Sequence, residues 1–291
     1  MKIAVVHDEL MRKDGADQVT LCFHKIFPTA PIYTLAYRKT LTYPEFDECT
    51  IITSFFNKLA INEKILKLGF FRFGLIAMKS LNLKSFDVVL ISSTYCAKYV
   101  VVNKTALVIN FCHSPFRLAW YPDSYKEYNS GKGIKKKILN YIISILRKID
   151  FATAQRTDYF IANASEMANK INVVYKPKDQ IVGINLPVKC INFQVSEAAG
   201  SYFLVVCRLE YYKRVDIVIE AFNELNPPLI VVGKGSQESS LKLIVKGNVT
   251  FKGSISLQEL SALLLMGAKF STHQLLQNAL TVNTFQTIKP Y

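Results

Sequence analysis

The 291-residue chain has no Cys-x-x-Cys pair, and its six cysteines (Cys22, Cys49, Cys96, Cys112, Cys190 and Cys207) are dispersed. With only four histidines and no Cys/His cluster of zinc spacing, the sequence shows no zinc-site pattern and no redox dithiol. Several of the cysteines lie in apolar runs, where a thiol is simply a small core residue, so a reducing cytosol is the economical expectation. No stretch approaches the roughly 18 consecutive apolar residues of a membrane span. The first residues, MKIAVVHDEL, are too briefly apolar and too soon acidic for a signal peptide. The chain is therefore expected to be soluble or peripheral on a membrane. A glycine-rich loop ending in Gly-Lys-Ser/Thr does not occur, which argues against a P-loop nucleotidase. The nearest approach to the dinucleotide fingerprint is Gly233-Lys234-Gly235, with Glu238 where a third glycine belongs, which argues against a nicotinamide dehydrogenase. Internal repeats and low-complexity segments are absent as well.

Basic charge and apolar residues are in good supply. There are 36 Lys and Arg against 22 Asp and Glu, a formal net charge of +14, and half of all residues are hydrophobic. A sizeable core can form, and an anionic partner is implied: nucleic acid, a phosphorylated ligand or an acidic membrane face. The 19 Phe and 15 Tyr offer stacking surfaces for bases, but most sit in apolar runs and read as core. No nucleic-acid partner is expected.

Apolar, β-rich runs alternate with segments of helical periodicity along most of the chain. Strand-like runs fall at 2–7, 31–37, 51–54, 86–92, 99–102, 107–111, 159–162 and 180–184, with helical segments at 18–27, 57–83, 134–156 and 165–174. Periodicity lapses over 189–201, and a second series follows: strands at 202–207, 229–232 and 249–251, helices at 215–225, 237–245 and 257–265. This order predicts an α/β protein of two doubly wound domains, 1–190 and 196–291.

The stretch YFLVVCRLEYYKRVDIVIEAF, Tyr202 to Phe222, organises the second series. Arg208 comes as its strand ends, and Lys213 and Arg214 stand where its helix begins. A strand end, a short loop and a helix N-terminus make an anion site in open α/β sheets, and two cations beside it suit a diphosphate. The same residues read equally as a solvated basic turn in an ordinary βα unit.

The order of several passages resembles the GT-B glycosyltransferases of family 4, and within them the mannosyltransferase-like branch of surface-polysaccharide assembly. The passages are KIAVVHD with GAD, FPTAPIYTL, FDVVLISS, NFCHSPFRLAW, DYFIANASEMA, VVCRLEYYKRVDIVIEAF, LIVVGKG and NVTFKGSIS. The resemblance covers Met1 to Lys269. It implies two Rossmann-like domains facing a cleft, the first on the acceptor side and the second binding a nucleotide sugar. It implies a retaining hexosyl transfer in which the leaving phosphate serves as base, without a metal, and no DxD motif is present. It further implies that Arg208 and Lys213 hold the donor diphosphate with Gly15 close by, and that His113 lies near the reacting sugar. Gly233, Gly235, Gly253 and Ser254 would line the donor nucleotide, and Arg117 and Trp120 would border the acceptor cleft. His113 also fits a buried, hydrogen-bonded strand-end histidine, and Arg117 and Trp120 also fit packing roles. The donor expected from the branch resembled alone is GDP-mannose, and the acceptor a polysaccharide or lipid-linked saccharide.

Two departures stand out. Where the family has a second glycine before Gly15, this chain has Asp14, an acidic side chain beside the expected phosphate site. After Gly267 to Lys269 the family expects a strand, an acidic glycine-rich loop and two glutamates eight positions apart. Phe270 to Tyr291 contains no Asp or Glu. The expectation is an incomplete second domain with an atypical tail over 270–291, arising from a truncated or frame-shifted gene, and an activity reduced or lost.

The basic excess points to a third feature. GKGIKKKILNYIISILRKID, residues 131–150, surrounds a strongly apolar helix with Lys135, Lys136, Lys137, Arg147 and Lys148. It reads either as a core helix with solvated lysines or as a helix lying on anionic lipid. Residues 57–83 add Lys58, Lys64, Lys67, Arg72 and Lys79 among Phe70, Phe71 and Phe73. A cytoplasmic protein, peripheral on the inner face of the cell membrane, is the location these features suggest.

Overall fold

The computed structural model describes residues 1–59, 74–185, 202–265 and 268–270. The chain divides into two compact units, one of Met1–Pro122 with Gly131–Pro187, the other of Asp123–Ser130 with Val188–Tyr291.

The first unit is built on a wholly parallel seven-stranded sheet. Its strands are β1 (Ile3–His7), β2 (Ile32–Thr34), β3 (Ile51–Thr53), β5 (Val88–Ser93), β7 (Leu107–Cys112), β8 (Tyr159–Ala162) and β9 (Val182–Gly183), in the order β3-β2-β1-β5-β7-β8-β9. Two short strands, β4 (Asn82–Leu83) and β6 (Val101–Val102), pair beside it. The central strands carry continuous apolar runs, IAVV in β1 and VVLI in β5, because a parallel sheet covered on two faces buries successive side chains alike. Their register sets Val5 against Ile32 on one side and Leu90 on the other. The chain runs outward from β1 to β3 and then returns to the other side of β1, so the order reverses between β1 and β5. Ligands in open α/β sheets bind outside the carboxyl ends of the strands at such a point.

Helix α1 (Gly15–Ile26) packs on β1 and β5. It begins three residues earlier than periodicity predicts, because Asp14 and Asp17 form a capping box that extends it by a turn. Of the helical segment expected over 57–83, residues 60–73 lie outside the described residues, Leu75–Ser80 forms helix α2, and the last two residues are corrected to strand β4 by their pairing with Val101–Val102. Helices α3 (Arg117–Trp120), α4 (Lys126–Ser130), α5 (Gly133–Ala154) and α6 (Ser165–Tyr175) follow in the chain, α4 belonging to the second unit. The strand expected over 99–102 is split: Ala97–Tyr99 forms a 3-10 turn and only Val101–Val102 pairs. The turn is held by Asp8, reaching from more than eighty residues earlier in the chain, which local sequence does not reveal.

The second unit carries a parallel sheet of β10 (Tyr202–Val206), β11 (Leu229–Val232), β12 (Val249–Gly253) and β13 (Ala268–Phe270), in the order β12-β11-β10-β13. Helices α7 (Val215–Leu225), α8 (Glu238–Lys242) and α9 (Leu257–Leu265) connect them. Its core gathers Val205, Leu209, Val215, Val218, Ile219, Phe222, Leu229 and Val231. Strand β13 spans the end of the resemblance at Lys269 and the first residue beyond it, with Leu204 in register with Phe270. Three residues are too short a run for a periodicity signal, and the pairing with β10 makes the strand. The remainder of the expected atypical tail, 271–291, lies outside the described residues. The order of this sheet also reverses, between β10 and β13.

Candidate active site

Each apolar run of the first sheet ends in polar residues, His7-Asp8 after β1, Ser92-Ser93 in β5 and His113-Ser114 after β7. Parallel pairing in register brings them together at the carboxyl edge. His7 Nε2 lies 2.9 Å from Asp17 Oδ1, and its Nδ1 lies 3.2 Å from the Ser92 carbonyl oxygen. The Thr20 hydroxyl lies closer still to Nδ1, at 3.0 Å, and a ring protonated on both nitrogens donates to Asp17 and to the Ser92 carbonyl. Burial by itself would push the ring down, but the hydrogen bond and charge of Asp17, with Asp8 and Asp14 nearby, outweigh it and raise His7 to about 9. Asp17 is also pushed up by burial against the pull of His7, so the pair competes for one proton. The Ser92 carbonyl behind Nδ1 and the close carboxylates place that proton on the ring.

Ser92 joins this pair to the sequence-identified histidine. Its Oγ lies 2.9 Å from His113 Nε2 and 3.1 Å from His7 Nδ1. Burial, reinforced by the positive charge of His7, lowers His113 to about 4, so it is neutral near pH 7. A neutral His113 carries one ring proton, and its Nε2 shares a hydrogen bond with the Ser92 hydroxyl, which also reaches the Ala16 carbonyl at 3.4 Å. The chain Asp17–His7–Ser92–His113 therefore links a buried ion pair to a half-buried histidine at the rim of the sheet.

Asp8 and Glu9 complete the edge. The Asp8 carboxylate accepts the backbone N–H groups of Thr94, Tyr95, Cys96 and Ala97, at 3.1, 2.7 and 2.6 Å for the last three. Glu9 accepts from Tyr95 Oη and from Arg12, and Arg12 Nε also donates to Asp14 at 2.9 Å. Burial raises Glu9 to about 7, with Arg12 pulling the other way. Asp14 is the N-cap of α1, accepting from Ala16 and Asp17 at 3.0 and 3.3 Å. Burial pushes Asp14 up, but Arg12 and His7 outweigh it and hold its carboxyl below the usual range. The residue that sequence alone reads as an intruder beside an anion site thus serves as the anion of that helix terminus. Gly15, the first residue of α1, has open space where a Cβ would stand.

Arg117 opens α3, four residues beyond His113. Trp120 ends that helix with its Nε1 donating to Asp150 at 2.8 Å and its ring edge-on to Tyr175. Asp150 is fully buried and also receives Tyr99, Tyr175 and Lys98, the last at 2.8 Å from a side chain only 1% exposed. Burial would lower Lys98, but Asp150 outweighs it and keeps the ammonium charged. This knot fixes α3 against α5 and α6 behind the histidine edge.

In the second unit every sequence-identified residue lies at the carboxyl ends of β10, β11 and β12. Arg208 follows β10, 45% exposed, with NH2 3.5 Å from Glu210, whose other oxygen accepts from Ser236. Lys213 closes a 3-10 turn (Tyr211–Lys213), and its ammonium lies over the Tyr212 ring at 5.7 Å. Arg214, at the N-cap position of α7, adopts a left-handed backbone, φ 50°, and its side chain pairs with Asp216 at 3.0 Å. The glycines explain themselves by contact. A Cβ on Gly233 would stand 1.8 Å from the Cys207 carbonyl oxygen, and one on Gly235 2.2 Å from that of Leu209. Only glycine lets the loop after β11 lie flat against the loop that carries Arg208. Gly253, at φ 64°, accepts from the Gly233 N–H at 2.8 Å, and Ser254 follows it, exposed. The side chain of Lys234 lies beside Gly253, adding a third cation to this edge.

Sequence reading singled out His113 but not His7, Asp17 or Ser92. The available signal was the polar pair that terminates each buried strand, at His7-Asp8 and Ser92-Ser93. Among the described residues no group of three or more His, Cys, Asp or Glu side chains is arranged to hold a metal ion.

No family model and no curated protein matches the chain. Solved structures do. The apo form of the lipopolysaccharide outer core galactosyltransferase WaaB aligns with a TM-score of 0.54 at 16% identity, over 92% of this chain and 72% of its own. HepE of Anabaena in complex with UDP aligns with a TM-score of 0.58 at 14% identity, over 90% of this chain and 72% of its own. The same protein with UDP-glucose gives 0.55 at 13% identity. Likeness at such identities is a likeness of fold: the chain is an α/β protein with the fold of the GT-B glycosyltransferases.

Proposed function

We propose that the chain is a glycosyltransferase that moves a hexose from a nucleotide-sugar donor to a saccharide or lipid-linked saccharide acceptor, with retention at the anomeric carbon. The observation that carries this reading is the cationic loop of Arg208 and Lys213 at the point where the second sheet reverses its order, in a fold shared with sugar transferases. In this proposal the two cations, 45% exposed in the case of Arg208, hold the donor diphosphate. As the bond from the anomeric carbon to the phosphate oxygen breaks, they stabilise the charge that grows on the leaving group. The acceptor hydroxyl oxygen forms the new bond on the same face, and its proton passes to the departing phosphate oxygen. Gly233, Gly235, Gly253 and Ser254, all of the second unit, line the donor's nucleotide. By the family resemblance His113 is the histidine near the reacting sugar. Arg117 borders the acceptor, with Trp120 anchoring its helix.

For the donor, GDP-mannose is the choice suggested by the family-4 resemblance, and a UDP-hexose by HepE, whose structures hold UDP and UDP-glucose. The free cysteines Cys22, Cys49, Cys96, Cys112 and Cys207 support a reducing, cytoplasmic location. Calorimetry with GDP-mannose, UDP-glucose and GDP tests the proposal. The expected result is micromolar binding of one donor, weakened at least tenfold by Arg208→Ala with Lys213→Ala. No binding of any donor, or binding indifferent to those changes, overturns it.

A further inference from the structure

Helix α5 buries only a narrow face. Ile143, Leu146, Asp150 and Ala154 are its buried residues, one turn apart along a single stripe. Its other large apolar residues face water: Ile134 is 69% exposed, Ile138 54%, Tyr141 69%, Ile142 38% and Ile145 41%. At 3.6 residues per turn Ile134, Ile138, Tyr141 and Ile145 form a second continuous stripe, widened by Ile142. The helix is therefore apolar on two separate faces, and its core accounts for one of them. Lysines edge the second face. Lys137 and Lys148 lie along one border, Lys135 lies along the other, and Lys132 stands before the first turn, all exposed. No Asp or Glu occurs from 131 through 149.

We propose that this face of α5 docks the protein on the surface of an anionic bilayer, with the Ile134–Ile138–Tyr141–Ile145 stripe among the acyl chains and the flanking lysines on the headgroups. The pattern has the features of a helix that lies in the interface: a continuous apolar stripe, cations at its borders and an aromatic hydroxyl able to remain at headgroup level. Charge selects the occupant. A second copy docking through the same face would set lysines against lysines, whereas anionic lipid supplies the opposite charge along each border. The helix lies on the surface rather than crossing, since among the described residues none is long and apolar enough to span a membrane. The inference stands on α5 alone and holds whatever donor the protein binds.

Co-sedimentation of the full chain with phosphatidylcholine vesicles, with and without phosphatidylglycerol, tests it. Binding is expected only to the anionic vesicles and is expected to fall as salt rises. Replacing Lys135, Lys137 and Lys148 by Gln should weaken binding on the order of 100-fold at low salt, since each lysine near such a surface contributes about 1 kcal/mol. Ile138→Ser with Tyr141→Ser should abolish it while leaving the melting temperature and donor binding unchanged, because neither side chain supports the core. Equal sedimentation of these variants and the parent chain would overturn the proposal. So would sedimentation indifferent to phosphatidylglycerol. A concentration-dependent dimer broken by the serine pair, without vesicle binding, would assign the face to a second copy instead.

Discussion

The two units treat charge in opposite ways. Among the described residues every buried polar or charged side chain belongs to the first, including His7, Asp8, Glu9, Asp17, Lys98 and Asp150. The second unit buries only apolar side chains and keeps Arg208 and Glu210 at its surface. Buried charges are costly to desolvate and hold their geometry only when each has a partner, so the histidine edge of the first unit is preorganised and rigid. The cationic edge of the second keeps its charges partly solvated, with Arg208 45% exposed. One sheet end positions a single neutral histidine; the other offers charge.

The sharpest way to break this contrast is to remove one member of a buried pair. Asp150→Ala leaves Lys98 buried without its counter-charge, together with two tyrosine hydroxyls and an indole, and should cost about 3–5 kcal/mol. A denaturant melt showing less than 1 kcal/mol would mean that the knot is hydrated or rearranged. Within the second unit the demanding element is backbone contact instead. Gly233→Ala drives a Cβ to 1.8 Å from the Cys207 carbonyl oxygen at φ 137°, and is expected to cost about 3 kcal/mol. Gly247→Ala, with open space around it, should change stability by less than about 0.5 kcal/mol and serves as the control.

His7 makes the comparison sensitive to pH. Its folded value, about 9, is raised above the unfolded value of 6.5. The stability it contributes is therefore fully present below pH 6.5 and lost as pH rises through about 9. Chemical denaturation between pH 6 and pH 9.5 should show that decline in the parent chain and a flatter profile in Asp17→Asn. An unchanged profile would place the shared proton elsewhere. The smallest stability effect belongs to Arg208→Ala. A partly exposed pair at 3.5 Å contributes about 0.2–1 kcal/mol, so the melting midpoint should shift little while donor affinity falls. A loss of stability comparable to that of Asp150→Ala would make Arg208 a structural residue.

Much of this was legible in the amino-acid order. The runs at Tyr159–Ala162, Val215–Leu225 and Leu229–Val232 form the elements they predict, because buried parallel strands and amphipathic helices carry local signals. Strand β13 and the Ala97–Tyr99 turn were not legible. The first exists through pairing with β10, the second through a carboxylate from the end of β1. The site divides along the same line. His113, Arg208 and Lys213 stand in motifs that can be read along the chain, whereas the link from Asp17 through His7 and Ser92 to His113 joins residues up to 106 positions apart.

Sequence by itself determined the alternation of strands and helices, the basic excess, and the cations that follow β10, since these depend on residue type and spacing alone. Tertiary structure decided which polar residues meet, what proton each histidine holds, and that α5 keeps a second apolar face in water. Those outcomes depend on register, burial and the proximity of distant charges, and a linear order of residues specifies none of them until the sheet has assembled.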